Sequence, residues 1–283
     1  MKCLIVSADD FGFSKGINRG IIKGFKDGIV TSIHLMPAAS EFEDALEEAN
    51  HAGIREMGAH LCLTGAVPVT NLEKISTLVA NNARFHEKYG GVVSGLFFRK
   101  INLREVRLEL KSQLERIKNS GIKITSLSSH EHVHMLPDIL SIFVDLAKEY
   151  KIPAMRYPRE HKLSGSITIN KLYRICVLAC FEKKMGAVLS KSGIAYTDNF
   201  LGLLDSGNLD EETLMRLLGA LGQGCTELVT HPGFLTPEVT RDSSLHINCE
   251  KELTALTSDR VKKLISDLNI KLVTFEEFCL CAR

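Results

Sequence analysis

Residues 2–14 read Lys2-Cys3-Leu4-Ile5-Val6-Ser7-Ala8-Asp9-Asp10-Phe11-Gly12-Phe13-Ser14. An apolar run closes on two carboxylates, and a glycine turn then leads to a serine suited to open a helix. That order predicts a buried strand over Lys2 to Ala8, polar groups at its C-terminal tip, and a helix over Ser14 to Gly28. The helix carries Gly16, Gly20, Gly24 and Gly28 at a constant spacing of four. Each interior glycine costs about 1 kcal/mol against alanine, so the spacing predicts close packing against that face.

The same strand-then-helix figure repeats along the chain. Further strands are predicted over Ile29 to Met36, Arg55 to Leu63, Ile122 to Ser129, Ile152 to Tyr157, near Ala195, over Cys225 to Thr230 and over Lys271 to Thr274. Helical patterns cover Ser40 to His51, Leu103 to Ser120, Pro137 to Tyr150, Ile167 to Ser190 (one helix or a pair), Asp210 to Leu221 and Ile247 to Leu268, with Phe275 to Cys281 following the last strand. Single strands alternating with helices imply an α/β fold with parallel strands, and a distorted or incomplete (β/α) barrel in preference to an open sheet. No linker is visible, so 1–283 reads as a single domain. Residues 71–100 read as a lid or irregular excursion, and 160–200 as a helical insertion.

Composition narrows the function. Thirty-five basic residues against thirty-four acidic ones remove the charge argument for nucleic acid or an anionic membrane surface. No apolar run approaches the roughly 18 residues that a spanning helix needs. The start lacks the parts of a secretion signal, which points to the cytoplasm. The eight cysteines are scattered, without a CxxC pair, and read as reduced thiols.

Chemistry-bearing residues fall at the strand tips. In a parallel α/β fold all C-terminal strand ends share one face, where active sites form. Asp9 and Asp10 close the first strand and, by alternation, point in different directions, so one can hold a cation while the other acts on water. The alternative is a carboxylate capping the following turn. His130-Glu131-His132-Val133-His134 puts three imidazoles on one side if extended, and stacks only His130 and His134 if helical. It is either part of a divalent-metal site or a polar turn before Pro137. His60 is a lone histidine in an apolar strand. With Asp10 and His130 it completes a His/His/carboxylate set that leaves positions open for water and substrate. His231, before Pro232-Gly233, reads as a turn residue or as a proton donor to a leaving group. Glu227, on the same strand, either tunes His231 or pairs with a basic neighbour on the outer surface. Arg156 is either an ordinary strand-end arginine or a clamp on Asp9 or a developing oxyanion. No phosphate-binding glycine loop, GxGxxG or GxSxG is present.

Taken in order, Ser7-Ala8-Asp9-Asp10-Phe11-Gly12-Phe13-Ser14, Thr31-Ser32-Ile33-His34-Leu35-Met36, Gly58-Ala59-His60-Leu61-Cys62-Leu63-Thr64, Ser129-His130-Glu131-His132-Val133-His134 with Pro137, and His231-Pro232-Gly233 resemble the YdjC-like carbohydrate deacetylase family. That family includes the bacterial chitooligosaccharide (diacetylchitobiose) deacetylases. The resemblance spans essentially the whole chain. It implies a distorted, incomplete barrel of the polysaccharide-deacetylase type, often dimeric, with one divalent metal ion, Mg or Zn, held by Asp10, His60 and His130. It also implies Asp9 as general base, His231 as general acid, Arg156 as a basic residue supporting the site, and His132 and His134 in supporting or substrate-facing roles. The sequence departs from the resemblance at Ser128, where relatives commonly carry Asp, and matches poorly after Arg156. The implied reaction removes an N-acetyl group from a small amino sugar or chitooligosaccharide, giving acetate and a free amine. Rival readings are a metal-dependent sugar isomerase or aldolase and a carbohydrate-binding protein with a degenerate site.

Overall fold

The central strand of the protein is its first. In the computed structural model, which describes residues 2–80, 83–160, 169–237, 239 and 245–281, β1 (Lys2–Phe11) is buried from Leu4 onward. A strand covered on both faces must be apolar throughout, which is why the Leu4 to Ala8 run sits in the middle of the sheet. The other strands are β2 (Ser32–Leu35), β3 (Glu56–Leu61), β4 (Lys123–Ser129), β5 (Ala154–Met155), β6 (Asn199–Leu201), β7 (Gly224–Thr230) and β8 (Ile270–Leu272). Their order is β5-β4-β3-β2-β1-β7-β6, with every pairing parallel. Strand β8 joins β1 at Lys2 to Leu4, on the edge that β2 takes up further along at Ser7.

The sheet curls into an open half-barrel. One isolated parallel bridge joins Ala154 of β5 to Ala195, ahead of β6, with hydrogen bonds from Met155 N to Ala195 O (2.9 Å) and from Ala195 N to Pro153 O (2.9 Å). The strand expected near Ala195 is thus a single bridge, and a regular strand forms only at Asn199. Helices α1 (Lys15–Asp27), α2 (Phe42–His51), α3 (Tyr89–Phe97), α4 (Leu103–Asn119), α5 (Pro137–Glu149), α6 (Ile169–Ser192), α7 (Glu211–Gly219), α8 (Cys249–Thr257), α9 (Asp259–Asp267) and α10 (Phe275–Cys281) connect and flank the strands. Their starts follow local chemistry. The side chains of Ser14, Asn102 and Asp210 accept from amides of the first turns of α1, α4 and α7.

The structure adds detail to three of these readings. The helical stretch expected over Ile247 to Leu268 breaks at Ser258, whose hydroxyl accepts from Arg260 N and Val261 N and so starts α9 afresh. Residues 71–100 hold a short 3₁₀ turn (Leu72–Lys74) and α3. Buried Glu109 of α4 accepts from the amides of Val69 and Thr70, Glu105 accepts from Thr77, and Ile75, Leu78 and Phe85 enter the core. Third, the glycines of α1 pack closely as the spacing predicts, Gly16 and Gly20 against the segment after β7, Gly24 against Val30 and Gly28 against Leu256. A Cβ on Gly20 would lie 2.3 Å from Gly233 Cα, and one on Gly16 would lie 2.4 Å from Phe234 O. The start of the expected insertion, 161–168, and the side chain of Cys176 lie outside the described residues. The other seven cysteines are unbridged. Among the described residues no helix is long and apolar enough to cross a membrane.

Candidate active site

The last residues of β1 break the regular alternation of a strand. Pairing with β2 slips between Ala8 and Phe11, and Asp10 takes a left-handed backbone (φ 64°) that costs a non-glycine residue about 1–3 kcal/mol. Consequently the two carboxylates, expected to diverge, meet the same imidazole. His60 Nδ1 lies 3.8 Å from Asp9 Oδ2, and His60 Nε2 lies 3.3 Å from Asp10 Oδ1.

Arg156, which directly follows β5, is fully buried rather than a surface residue. Its guanidinium grips Asp9 with both Nη atoms (2.5 and 2.8 Å), while its Nε donates to Glu227 Oε1 (2.8 Å). Burial by itself would raise the Asp9 pKa, but Arg156 overrides it and holds the carboxyl well below the usual range. Glu227 also accepts from Ser7 Oγ (2.8 Å), and burial pushes its carboxyl up in spite of Arg156. Glu227 therefore pairs with a basic neighbour inside the half-barrel and not on the outer surface.

The histidine-rich segment takes neither conformation expected for it. Residues 130–135 form a 3₁₀ turn in which Glu131 (φ 52°) and His132 (φ 53°) are left-handed, so the three imidazoles diverge. His130 turns its Nδ1 to Asp10 Oδ1 at 3.0 Å. Burial opposes a charge on it, yet the Asp10 carboxylate wins and raises its pKa to about 9. His134 is fully buried, with Nδ1 2.5 Å from Ser129 Oγ and Nε2 3.2 Å from the Arg156 carbonyl oxygen. It braces the segment that carries Arg156. His132 packs edge-on against Phe200, with ring centroids 6.0 Å apart.

His231 follows β7 and is buried. Its backbone amide donates to Glu252 Oε2 (2.7 Å), and its loop lies on the glycine face of α1. Burial, working against the pull of Asp10 and Asp9, lowers the His231 pKa to about 4. Its ring stands 5.9 Å from that of His246, a residue that sequence reasoning missed. His246 Nε2 comes within 3.2 Å of Asp10 Oδ2, a buried oxygen with no other hydrogen-bond partner. His246 lies in a short turn with no strand pattern to announce it. His34, also overlooked as a site residue, sits on β2 with Nδ1 2.7 Å from Ser128 Oγ.

Two overlapping groups of donors could hold a metal ion, Asp9/His34/His60 and Asp10/His60/His130. They share His60 and so describe one site. In the first group Arg156 already occupies both oxygens of Asp9 and approaches His34 Nδ1 at 3.3 Å. In the second, Asp10 Oδ1 faces both imidazoles, 3.3 Å from His60 Nε2 and 3.0 Å from His130 Nδ1, while its Oδ2 is buried without a hydrogen bond to either. Two nitrogens and a carboxylate suit a divalent ion such as zinc and leave positions open for water and substrate.

Comparison with known proteins points the same way. The family model described as YdjC-like protein matches residues 3–267. Carbohydrate deacetylases of Brevibacillus brevis and Clostridium beijerinckii are each 32% identical over 275 residues, covering 97% of this chain and 98% and 99% of theirs. The carbohydrate deacetylase of Thermoanaerobacter pseudethanolicus is 28% identical over 97% of this chain and 98% of its own. A crystal structure from Enterococcus faecalis V583, provisionally described as a cellobiose-phosphate cleavage protein, superposes with a TM-score of 0.78 at 27% identity, covering 98% of both chains.

Proposed function

The chain belongs to the YdjC-like protein family, and on that premise we propose that it is a metal-dependent carbohydrate deacetylase that removes the N-acetyl group of a small amino sugar or chitooligosaccharide. The observation that carries the reading is a carboxylate–imidazole donor group placed beside a second carboxylate that is already neutralised by a buried arginine. Asp10, His60 and His130 would hold the metal ion, and zinc suits them better than magnesium because two donors are imidazoles. When bound, the ion polarises the amide carbonyl and makes water more acidic.

Asp9 takes the proton from the attacking water. Arg156 keeps it ionised and fixes its plane, so the carboxylate stands ready to accept that proton. His231 delivers a proton to the departing amine, without which nitrogen would have to leave as an amide anion. Its pKa of about 4 leaves the resting imidazole neutral near pH 7, so the proton it delivers is taken up during the cycle, ultimately the one that Asp9 removes from water. One proton leaves water for Asp9 and one reaches nitrogen from His231, so the products are acetate and an amino sugar. His134 and Glu227 position Arg156, and His132 faces the substrate. A cytoplasmic location and a homodimer complete the proposal, and sedimentation tests the latter.

The deciding experiment measures acetate released from diacetylchitobiose and from N-acetylglucosamine by protein stripped of metal and reloaded with Zn, Mg, Mn or Co. Turnover that returns with metal is the expected result. A rearranged sugar without acetate would replace the proposal with an isomerase, and sugar binding indifferent to metal would replace it with a binding protein.

A further inference from the structure

His34 and Ser128 take no part in the steps above, yet both are fully buried directly behind His60. The three residues stand on β2, β4 and β3 and are joined through one hydroxyl. Ser128 Oγ lies 2.7 Å from His34 Nδ1 and 2.8 Å from His60 Nδ1. To reach β4 from β2, the His34 ring must cross β3, and it crosses at Gly58. A Cβ there would come within 2.6 Å of His34 Cδ2 and 2.7 Å of Ser126 Oγ, so glycine keeps the passage open.

The direction of these hydrogen bonds follows from their fixed end. A guanidinium only donates, and Arg156 Nη2 lies 3.3 Å from His34 Nδ1, so that nitrogen presents its lone pair. Asp9 Oδ1, 3.5 Å from the same nitrogen, is the more distant neighbour and already accepts from Arg156 Nη2 at 2.8 Å. The Ser128 hydroxyl has one proton and two acceptors in reach, the Ala59 carbonyl oxygen at 3.4 Å and His34 Nδ1 at 2.7 Å; the shorter contact takes the proton, while the hydroxyl lone pair accepts the Nδ1–H of His60. His34 carries its own proton on Nε2, 3.5 Å from Ser126 Oγ. With a proton on Nδ1, His60 turns the lone pair of Nε2 toward Asp10.

We infer that Arg156, His34 and Ser128 form a hydrogen-bond relay that sets the tautomer of His60 and so prepares Nε2 as a metal ligand, with His34 and Ser128 as positioning residues. The inference rests on the metal site of the proposed function. The relay orients a ligand without adding another carboxylate beside Asp9, Asp10 and Glu227, where like charges would compete for Arg156.

Zinc affinity, measured by chelator competition, tests it on the unaltered protein, Ser128→Ala, His34→Leu and His34→Asn. Loss of an orienting partner of this kind weakens metal binding by about 10–100-fold, which is expected for Ser128→Ala and His34→Leu. His34→Asn places an amide oxygen near the position of Nδ1 and restores affinity. The Ser128→Ala/His34→Leu double variant falls no further than the weaker single one, because the residues act as a unit. If Ser128→Ala does not fold, the contrast between His34→Leu and His34→Asn decides. Nitrogen-15 spectra of the metal-free and zinc-loaded protein supply the second readout. His34 should be unprotonated at Nδ1 in both. A slowly exchanging His60 Nδ1 proton should appear with zinc and be lost in Ser128→Ala. Unchanged zinc affinity in Ser128→Ala and His34→Leu, or a proton on His34 Nδ1, overturns the relay. No zinc binding by the unaltered protein would overturn the metal site itself, and the His34 tautomer would still decide the direction of the hydrogen bonds.

Discussion

Both ends of the half-barrel gather acidic and basic side chains, and the two ends treat them in opposite ways. At the C-terminal end of the strands, Arg156 is fully buried and its partner Asp9 is 3% exposed. At the other end Lys123 meets Glu56 and Glu276 with side chains 59%, 34% and 42% exposed. A cavity of about 580 Å³ opens at that base, lined in part by Glu115, Lys123, Tyr150 and Glu276. Water screens the basal pairs, which contribute about 0–1 kcal/mol each. The buried set has no water to fall back on, so each charge depends on its partner. Ionic contact is common to both ends, whereas only the desolvated end can hold charges in fixed positions for chemistry.

The largest effects should follow from changing the two carboxylates. Asp9→Asn keeps metal stoichiometry while lowering turnover by about 10²–10⁴-fold, whereas Asp10→Asn loses metal and turnover together. Metal analysis beside acetate release separates them, and equal metal loss in both would end the division of roles between Asp9 and Asp10.

Arg156→Met leaves Asp9 and Glu227 buried without their cation and should cost about 3–5 kcal/mol in denaturant unfolding. A smaller cost, about 1–3 kcal/mol, is expected for Gly20→Ala, whose new Cβ would meet Gly233 and push the His231 loop off α1. Turnover should fall in that variant even at temperatures where it remains folded.

Acidity offers a gentler test. Burial raises Glu252 and Glu160 to about 7 from an ordinary value of 4.5, despite the backbone amides that bond them. Both bind a proton more tightly in the folded state, so their stabilisation is complete below about 4.5 and is lost as the pH rises through about 7. Thermal unfolding followed across that window should show the decline, and Glu252→Gln should flatten it. Asp9 works in the opposite sense, stabilising above its ordinary value of 3.8 and losing that contribution below it. At the small end, Lys123→Met should move stability by less than about 1 kcal/mol, and a loss as large as that of Arg156→Met would erase the contrast between the two ends.

Much of the architecture was legible before any coordinates. Strand β1, the helix opening at Ser14 and the glycine face of α1 are local patterns, in which a residue and its near neighbours suffice. Legibility failed where backbone geometry turned unusual. The left-handed Asp10 and the left-handed pair Glu131 and His132 reverse the side-chain directions that regular periodicity implies. It failed again where a residue acts through distant partners. His34 looked like part of an apolar strand and His246 like part of a loop, and neither has a nearby partner in sequence to mark it.

The sequence by itself determined the alternation of strands and helices, helix starts such as those of α1, α4 and α5, and the placing of Asp9, Asp10, His60, His130, Arg156 and His231 at strand tips. Such features follow from hydrophobic period and capping, which act over a few residues. Only the tertiary structure decided that Arg156 neutralises Asp9 and Glu227, that Asp10 keeps an unbonded oxygen among imidazoles, and that His34 reaches Ser128 across Gly58. These contacts join residues far apart in the chain, and their ångström-scale geometry depends on strand register and on a bulge that no local pattern encodes.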